Sequence, residues 1–267
     1  MTAVVHAPGA PCWFELATDD QPTIEAFYPA LFGWTLERTP MPDGSLYTIF
    51  QLDGRDVAGT YSLVPGPGGA GADGIGAPHW GVYFRTDDCD KTASRAVALG
   101  GRMIASPFEL MEHVRMAVCA DPEGVVFSLA QQRAHPGADA LGVDNAVCWA
   151  ELATRDIDRA ERYYQQLFGW RLRGHPVAPH GYRVFADGQR MLGGLLQMRP
   201  EWRDLAPHWS IYLQVPDVEA CVQRALELGG RLESAPFEAN SDVRIARLAD
   251  PRGAAFYVIQ FFGDPPA

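Results

Sequence analysis

The chain says nearly the same thing twice. Trp13-Phe-Glu15-Leu-Ala-Thr18 returns as Trp149-Ala-Glu151-Leu-Ala-Thr154, and Leu31-Phe-Gly-Trp34 returns as Leu167-Phe-Gly-Trp170, both at an offset of 136. Further on, His79-Trp80, Leu99-Gly-Gly-Arg102 and Asp121-Pro-Glu-Gly124 return as His208-Trp209, Leu228-Gly-Gly-Arg231 and Asp250-Pro-Arg-Gly253, now at an offset of 129. So long a period signals duplicated domains rather than a solenoid. The fall from 136 to 129 puts seven extra residues in the first copy between Trp34 and His79, and the stretch from Gly66 to Gly71 reads as the surface loop that holds them. Residues 10–133 and 145–263 are expected to form two domains of roughly 125 residues each, enough for separate cores, with 134–144 as linker.

A net charge of −11 with no run of Lys or Arg argues against nucleic acid and anionic membrane surfaces as partners. No secretory signal is visible at the start and no apolar run is long enough to span a bilayer, so a cytoplasmic location is expected. The five cysteines (Cys12, Cys89, Cys119, Cys148 and Cys221) form no Cys-x-x-Cys pair and read as core residues.

The second copy shows the architecture most clearly. Residues 147–153 read as a strand with Trp149, Glu151 and Ala153 on one face. Asp156 caps a helix with apolar residues at Ile157, Ala160, Tyr164, Leu167 and Phe168, and Gly169 ends it. Strands follow at 171–174, 182–186 and 191–198, the last two joined by Asp187-Gly188. The pattern then restarts. A strand at 209–215 leads to a helix capped by Asp217 and closed by Gly229-Gly230, and then to strands at 231–234, 243–248 and 254–261. Each copy is thus two βαβββ modules, four in all, predicting an α+β fold of curled mixed sheets around clefts.

With "ELxTxD", "LFGW", "HWxxY", "LGGR" and "DPxG" in tandem modules from Trp13 to Phe262, the chain resembles the vicinal oxygen chelate superfamily. That group includes glyoxalase I, bleomycin-resistance proteins, fosfomycin-resistance enzymes and extradiol dioxygenases. The resemblance implies two modules curled around a cleft, an intramolecular pseudo-dimer of the two copies, and inward-facing His, Glu or Gln ligands for a divalent metal. Carried across one by one, the ligand positions fall on Trp13 and Trp149 in the first strands, on Gly81 and Ser210 in the second modules, and on Ser128 and Tyr257 in the final strands. Residues 60–63 and 195–198 supply no imidazole or carboxylate either. The expectation is therefore no cofactor and no metal ligands. Displaced ligands that include Glu15 or Glu151 remain an alternative.

Candidate site residues follow from strand alternation. Glu15 and Glu151 share a face with Trp13 and Trp149; a carboxylate there suits acid–base work, or else pairs with Arg115 or Arg244. His79 and His208 stand at the second strand entrances, as proton shuttles or as strand anchors. Tyr83 and Tyr212 lie four residues beyond them on the same face. With Trp13, Trp149 and Tyr257 they give aromatic clefts suited to a flat or hydrophobic small molecule. Ser210, Gln214 and Tyr257 add polar tips in the second copy, which favours that copy for ligand binding. The leading expectation is a small-molecule-binding protein of the resistance or sequestration kind. The alternative is a glyoxalase-like lyase, isomerase or dioxygenase that uses Glu with His and Tyr. Assembly into a further homodimer stays open.

Overall fold

A computed structural model describes residues 6–42, 44–63, 75–174, 181–187 and 190–263. The first copy runs β1 (Pro11–Thr18), α1 (Gln21–Phe32), β2 (Thr35–Pro40), β3 (Leu46–Leu52), β4 (Arg55–Ser62), β5 (His79–Arg85), α2 (Cys89–Ala98), β6 (Arg102–Leu110), β7 (Val114–Ala120) and β8 (Val126–Gln132). The second runs β9 (Val147–Thr154), α3 (Ile157–Phe168), β10 (Arg171–Gly174), β11 (Tyr182–Asp187), β12 (Arg190–Gln197), β13 (His208–Gln214), α4 (Val218–Glu227), β14 (Arg231–Asn240), β15 (Val243–Ala249) and β16 (Ala255–Phe261). Each copy builds its own eight-stranded mixed sheet, ordered β2-β3-β4-β1-β5-β8-β7-β6 and β10-β11-β12-β9-β13-β16-β15-β14. This is the α+β tandem fold that the repeats imply.

Local chemistry sets the elements. Asp156 and Asp217 accept the backbone N–H three residues on, at Arg159 and Ala220, as Asp20 and Asp88 do in the first copy. Gly169 closes α3 at φ 77°, a left-handed geometry that glycine adopts without strain. β14 runs past the expected 231–234 to Asn240 and carries Pro236 within it. It is an edge strand, so the missing proline N–H leaves no ladder bond unmade. A short 3-10 turn at Pro200–Trp202 precedes β13. The predicted loop at Gly66–Gly71 and the turn residue Gly188 lie outside the described residues.

The aromatic helix residues pack across the boundary between the copies. In α1, Phe27 and Tyr28 meet Phe256 of β16 at 6.5 and 5.6 Å between ring centroids. In α3, Tyr164 meets Phe127 of β8 at 5.8 Å and Phe168 meets Phe84 of β5 at 5.1 Å. Polar tips cross as well. Tyr28 donates to Asp250 Oδ2 and Tyr164 to Asp121 Oδ2, both at 3.2 Å. Trp34 donates its indole N–H to the Asn145 carbonyl at 2.7 Å, and Trp170 to that of Gly9 at 2.8 Å. The "DPxG" aspartates do two jobs. Oδ1 of Asp121 accepts the N–H groups of Glu123 and Val125, and Oδ1 of Asp250 those of Arg252, Gly253 and Ala254; each second oxygen takes the other copy's tyrosine. Apart from Tyr212, the buried aromatic residues of both copies belong to one continuous core. The concave faces of the sheets are left for another purpose.

Candidate functional site

β1 is the middle of its sheet and is buried along its whole length, between the aromatic core and the concave face. Across the register, Glu15 stands opposite Gly59 of β4 and Gly81 of β5, while Trp13 stands opposite Tyr83. Two glycines beside one carboxylate leave room above the sheet, and tyrosines enter that room. Tyr83 donates its hydroxyl to Glu15 Oε2, and Tyr47 of β3 donates to Oε1 at 2.5 Å. The Trp13 N–H bridges Tyr47 at 2.8 Å and Glu15 Oε1 at 3.2 Å. Gly59 is glycine for a steric reason: a Cβ there would overlap the Tyr47 hydroxyl.

The second copy repeats the arrangement. Glu151 lies opposite Gly194 and Ser210, accepts the Tyr212 hydroxyl at 2.8 Å, and is hydrogen-bonded by Tyr182, whose oxygen accepts the Trp149 N–H at 2.9 Å. A Cβ on Gly194 would overlap Tyr182. Each copy thus gathers Trp, Glu and two Tyr. Glu15 and Glu151 are 8% and 7% exposed, and their hydrogen-bond donors are tyrosine hydroxyls and, for Glu15, the Trp13 indole, rather than Arg or Lys. Burial pushes both pKa values up, against the hydroxyl donors that pull them down. Tyr47 and Tyr182 escape the sequence reading although a signal exists: Tyr47-Thr-Ile-Phe50 returns as Tyr182-Arg-Val-Phe185, at an offset of 135 that neither longer repeat shares.

Two cavities open on the concave face of the first sheet and meet at Glu15. One, of about 600 Å³, has largely apolar walls that include Val118, Phe127 and Phe108, with Ser128 and Gly81 on its floor and Ala206–Trp209 of the second copy along one side. The other, of about 400 Å³, has Glu37, Gln51, Asp56, His113 and His135 among its walls. Glu15, Met41, Tyr47, Tyr83, Leu110 and Met116 border both. His135, also missed from sequence, comes from the stretch after β8. Its ring meets Trp13 edge-on at 4.6 Å, its Nδ1 accepts the Gly137 N–H, and its Nε2 lies 3.3 Å from Asp56.

Several expected roles change. Arg115 and Arg244 do not pair with the buried glutamates. They bind Asp90 and Glu109 in one copy and Glu219 and Glu238 in the other, on the helix-covered face of each sheet. His79 and His208 each turn Nδ1–H onto a backbone carbonyl two residues back, Ala77 at 2.7 Å and Ala206 at 2.8 Å, which anchors the entrances of β5 and β13, and both also line the larger cavity. Burial lowers the His208 pKa. The polar tips of the second copy are also engaged within the fold: Gln214 donates to Asp144 at 3.0 Å, and Tyr257 stacks on Tyr212 at 4.5 Å. Ser210 is buried opposite Glu151.

The donor set does not fit a divalent ion. The positions that face the first cleft from β1, β5 and β8 hold Trp13, Gly81 and Ser128, and in the second copy Trp149, Ser210 and Tyr257. Indole and a bare backbone supply no ligand, and hydroxyls alone bind such ions poorly. Among the described residues no three His, Cys, Asp or Glu side chains stand together as a ligand set.

The glyoxalase-like domain family matches residues 13–130 and again 147–259. The chain belongs to this family. It is 36% identical over 282 residues to the anthracycline biosynthesis protein DauV of Streptomyces sp. (strain C5), covering 98% of this chain and 96% of the relative. The fold is also that of the Mn(II)-bound glyoxalase from Novosphingobium aromaticivorans (TM-score 0.65, 12% identity, 96% of this chain and 83% of that one). The 2,3-dioxygenase LapB from Pseudomonas sp. KL28 is similar too (TM-score 0.64, 13% identity, 97% and 95%). At such identity these two structures speak for the fold alone.

Proposed function

We propose that the chain binds a flat, largely apolar small molecule in the cleft of its first copy, over Glu15, without calling on a divalent ion. The observation that carries this reading is the cavity of about 600 Å³ with largely apolar walls and the hydrogen-bonded cluster of Glu15 with Tyr47 and Tyr83 at its base. Apolar walls favour the ring system, and the carboxyl and phenols orient one oxygen or nitrogen of the ligand. The kinship with a protein named for anthracycline biosynthesis supports a polycyclic aromatic ligand. No described helix is long and apolar enough to cross a membrane and the five cysteines are free thiols, in keeping with a cytoplasmic site of action.

A second reading, proton-transfer chemistry of the lyase or isomerase kind, rests on Glu15 itself. A buried carboxyl with a raised pKa beside a substrate cavity suits a general acid. The test titrates the protein with 1,4-dihydroxyanthraquinone, following tryptophan fluorescence and the probe's absorbance spectrum. Saturable binding that Val118→Arg abolishes supports the cleft. Glu15→Gln then divides the readings. Unchanged binding with no conversion by either protein favours a binding role; conversion by the wild type, lost in the variant with binding retained, favours an enzyme. No saturable binding of this or related hydroxylated polycycles would overturn both.

A further inference from the structure

The clefts share a scaffold but not a floor. In the first copy, Tyr83 of β5 is flanked by Ser128 of β8, and Ser128 by Val118 of β7; both small neighbours line the cavity. The matching positions of the second copy, through the offset of 129, are Tyr212, Tyr257 and Arg247, in the same register. A serine has become a tyrosine and a valine an arginine. Tyr257 lies flat on Tyr212, with centroids 4.5 Å apart and planes 9° from parallel. The Arg247 guanidinium covers Tyr257 at 5.8 Å from its centroid and is held at 3.3 Å by Glu233. Stacking and cation–π contact favour this closed packing even though a cation is only partly exposed there.

We infer that the chain has one open ligand cleft, and that Tyr257 and Arg247 close the second by occupying the space that holds the cavity in the first. The inference rests on the reading that the first cleft takes the ligand, but it is tested without one. Gly81 and Ser210 are equivalent floor positions. A Cβ on Gly81 meets only ordinary contacts, the nearest at 3.7 Å, so cysteine fits there.

The experiment compares Gly81→Cys with Ser210→Cys by their rate of labelling with N-(1-pyrenyl)maleimide, a flat aromatic thiol reagent, after subtracting the wild-type rate. Gly81→Cys should react at least tenfold faster. Adding Tyr257→Ser and Arg247→Val to Ser210→Cys should raise its rate toward that of Gly81→Cys. The reciprocal change, Ser128→Tyr with Val118→Arg in Gly81→Cys, should slow labelling by a similar factor, which guards against one variant failing to fold. Equal rates at the two floor positions, or rates that none of these exchanges moves, would overturn the inference. A protein that fails to bind the anthraquinone yet shows this labelling pattern would defeat the functional reading alone.

Discussion

The hydroxyl of Tyr47 occupies the space that a side chain on Gly59 would need, and that hydroxyl in turn holds Glu15. One methyl group at this point therefore has a large effect. Gly59→Ala should displace Tyr47, leave the carboxyl short of a donor, and destabilise the protein by about 1–3 kcal/mol. Gly194→Ala should do the same through Tyr182. Urea unfolding followed by circular dichroism measures both, and a cost below about 0.5 kcal/mol would show that the tyrosines relocate freely.

Removing the phenol oxygen tests the cluster from the other side. Tyr83→Phe deletes the donor to Glu15 Oε2 and Tyr212→Phe the donor to Glu151 Oε1. These donors favour the ionised carboxylate, so each deletion should raise the pKa of its glutamate further above the usual carboxylate value. Carbon-13 NMR of the labelled carboxyl groups reads the shift directly. A fall would contradict the assigned direction of these bonds.

The bonds across the two copies should behave as a matched pair. Tyr28→Phe and Tyr164→Phe each orphan one oxygen of a buried aspartate and should cost about 1–3 kcal/mol. Because the sites share no partner, the double variant should lose close to the sum. A much smaller loss in the double variant would mean that the two contacts are coupled through the shared core.

Asp121 has a pH signature. Burial lifts its pKa from 3.8 to about 6, so the folded state holds a proton that the unfolded state gives up more readily. Stability from this residue is thus full below about pH 4 and declines as pH rises toward 6. Asp121→Asn does not titrate. Its Tm relative to wild type should climb across that window and level off above it; a flat or falling difference in a pH series of thermal melts would refute the assignment.

Much of this was legible because repeats and periodicity are properties of the chain. The caps at Asp156 and Asp217, the glycine end of α3 and the faces of β1 and β9 follow from spacing alone. Glu15 and Glu151 stand out as carboxylates on apolar strands. What completes each cluster does not. Tyr47 reaches Glu15 from two strands away, and nothing local in sequence reports a contact across β4. The second copy misled for a related reason. Tyr257 reads as a polar tip for a ligand, whereas sheet register sets it between Tyr212 and Arg247, which it contacts instead. The partners of Arg115 and Arg244 were misjudged because alternation on β7 and β15 sends them toward α2 and α4.

The crossed packing of α1 also governs how the chain can be made. Tyr28 leaves the ribosome early, but its acceptor Asp250 lies 222 residues further along, and Phe256 follows later still. Until that strand emerges, the part of α1 that Phe256 covers stays open, although Tyr28 already has Trp34, Phe50 and Trp80 of its own copy beside it, so the first half cannot reach its final packing while it is the only part synthesised. Translation must be almost complete before either half is whole, and a nascent chain stalled in the middle presents Phe27 to whatever chaperone or neighbour is at hand.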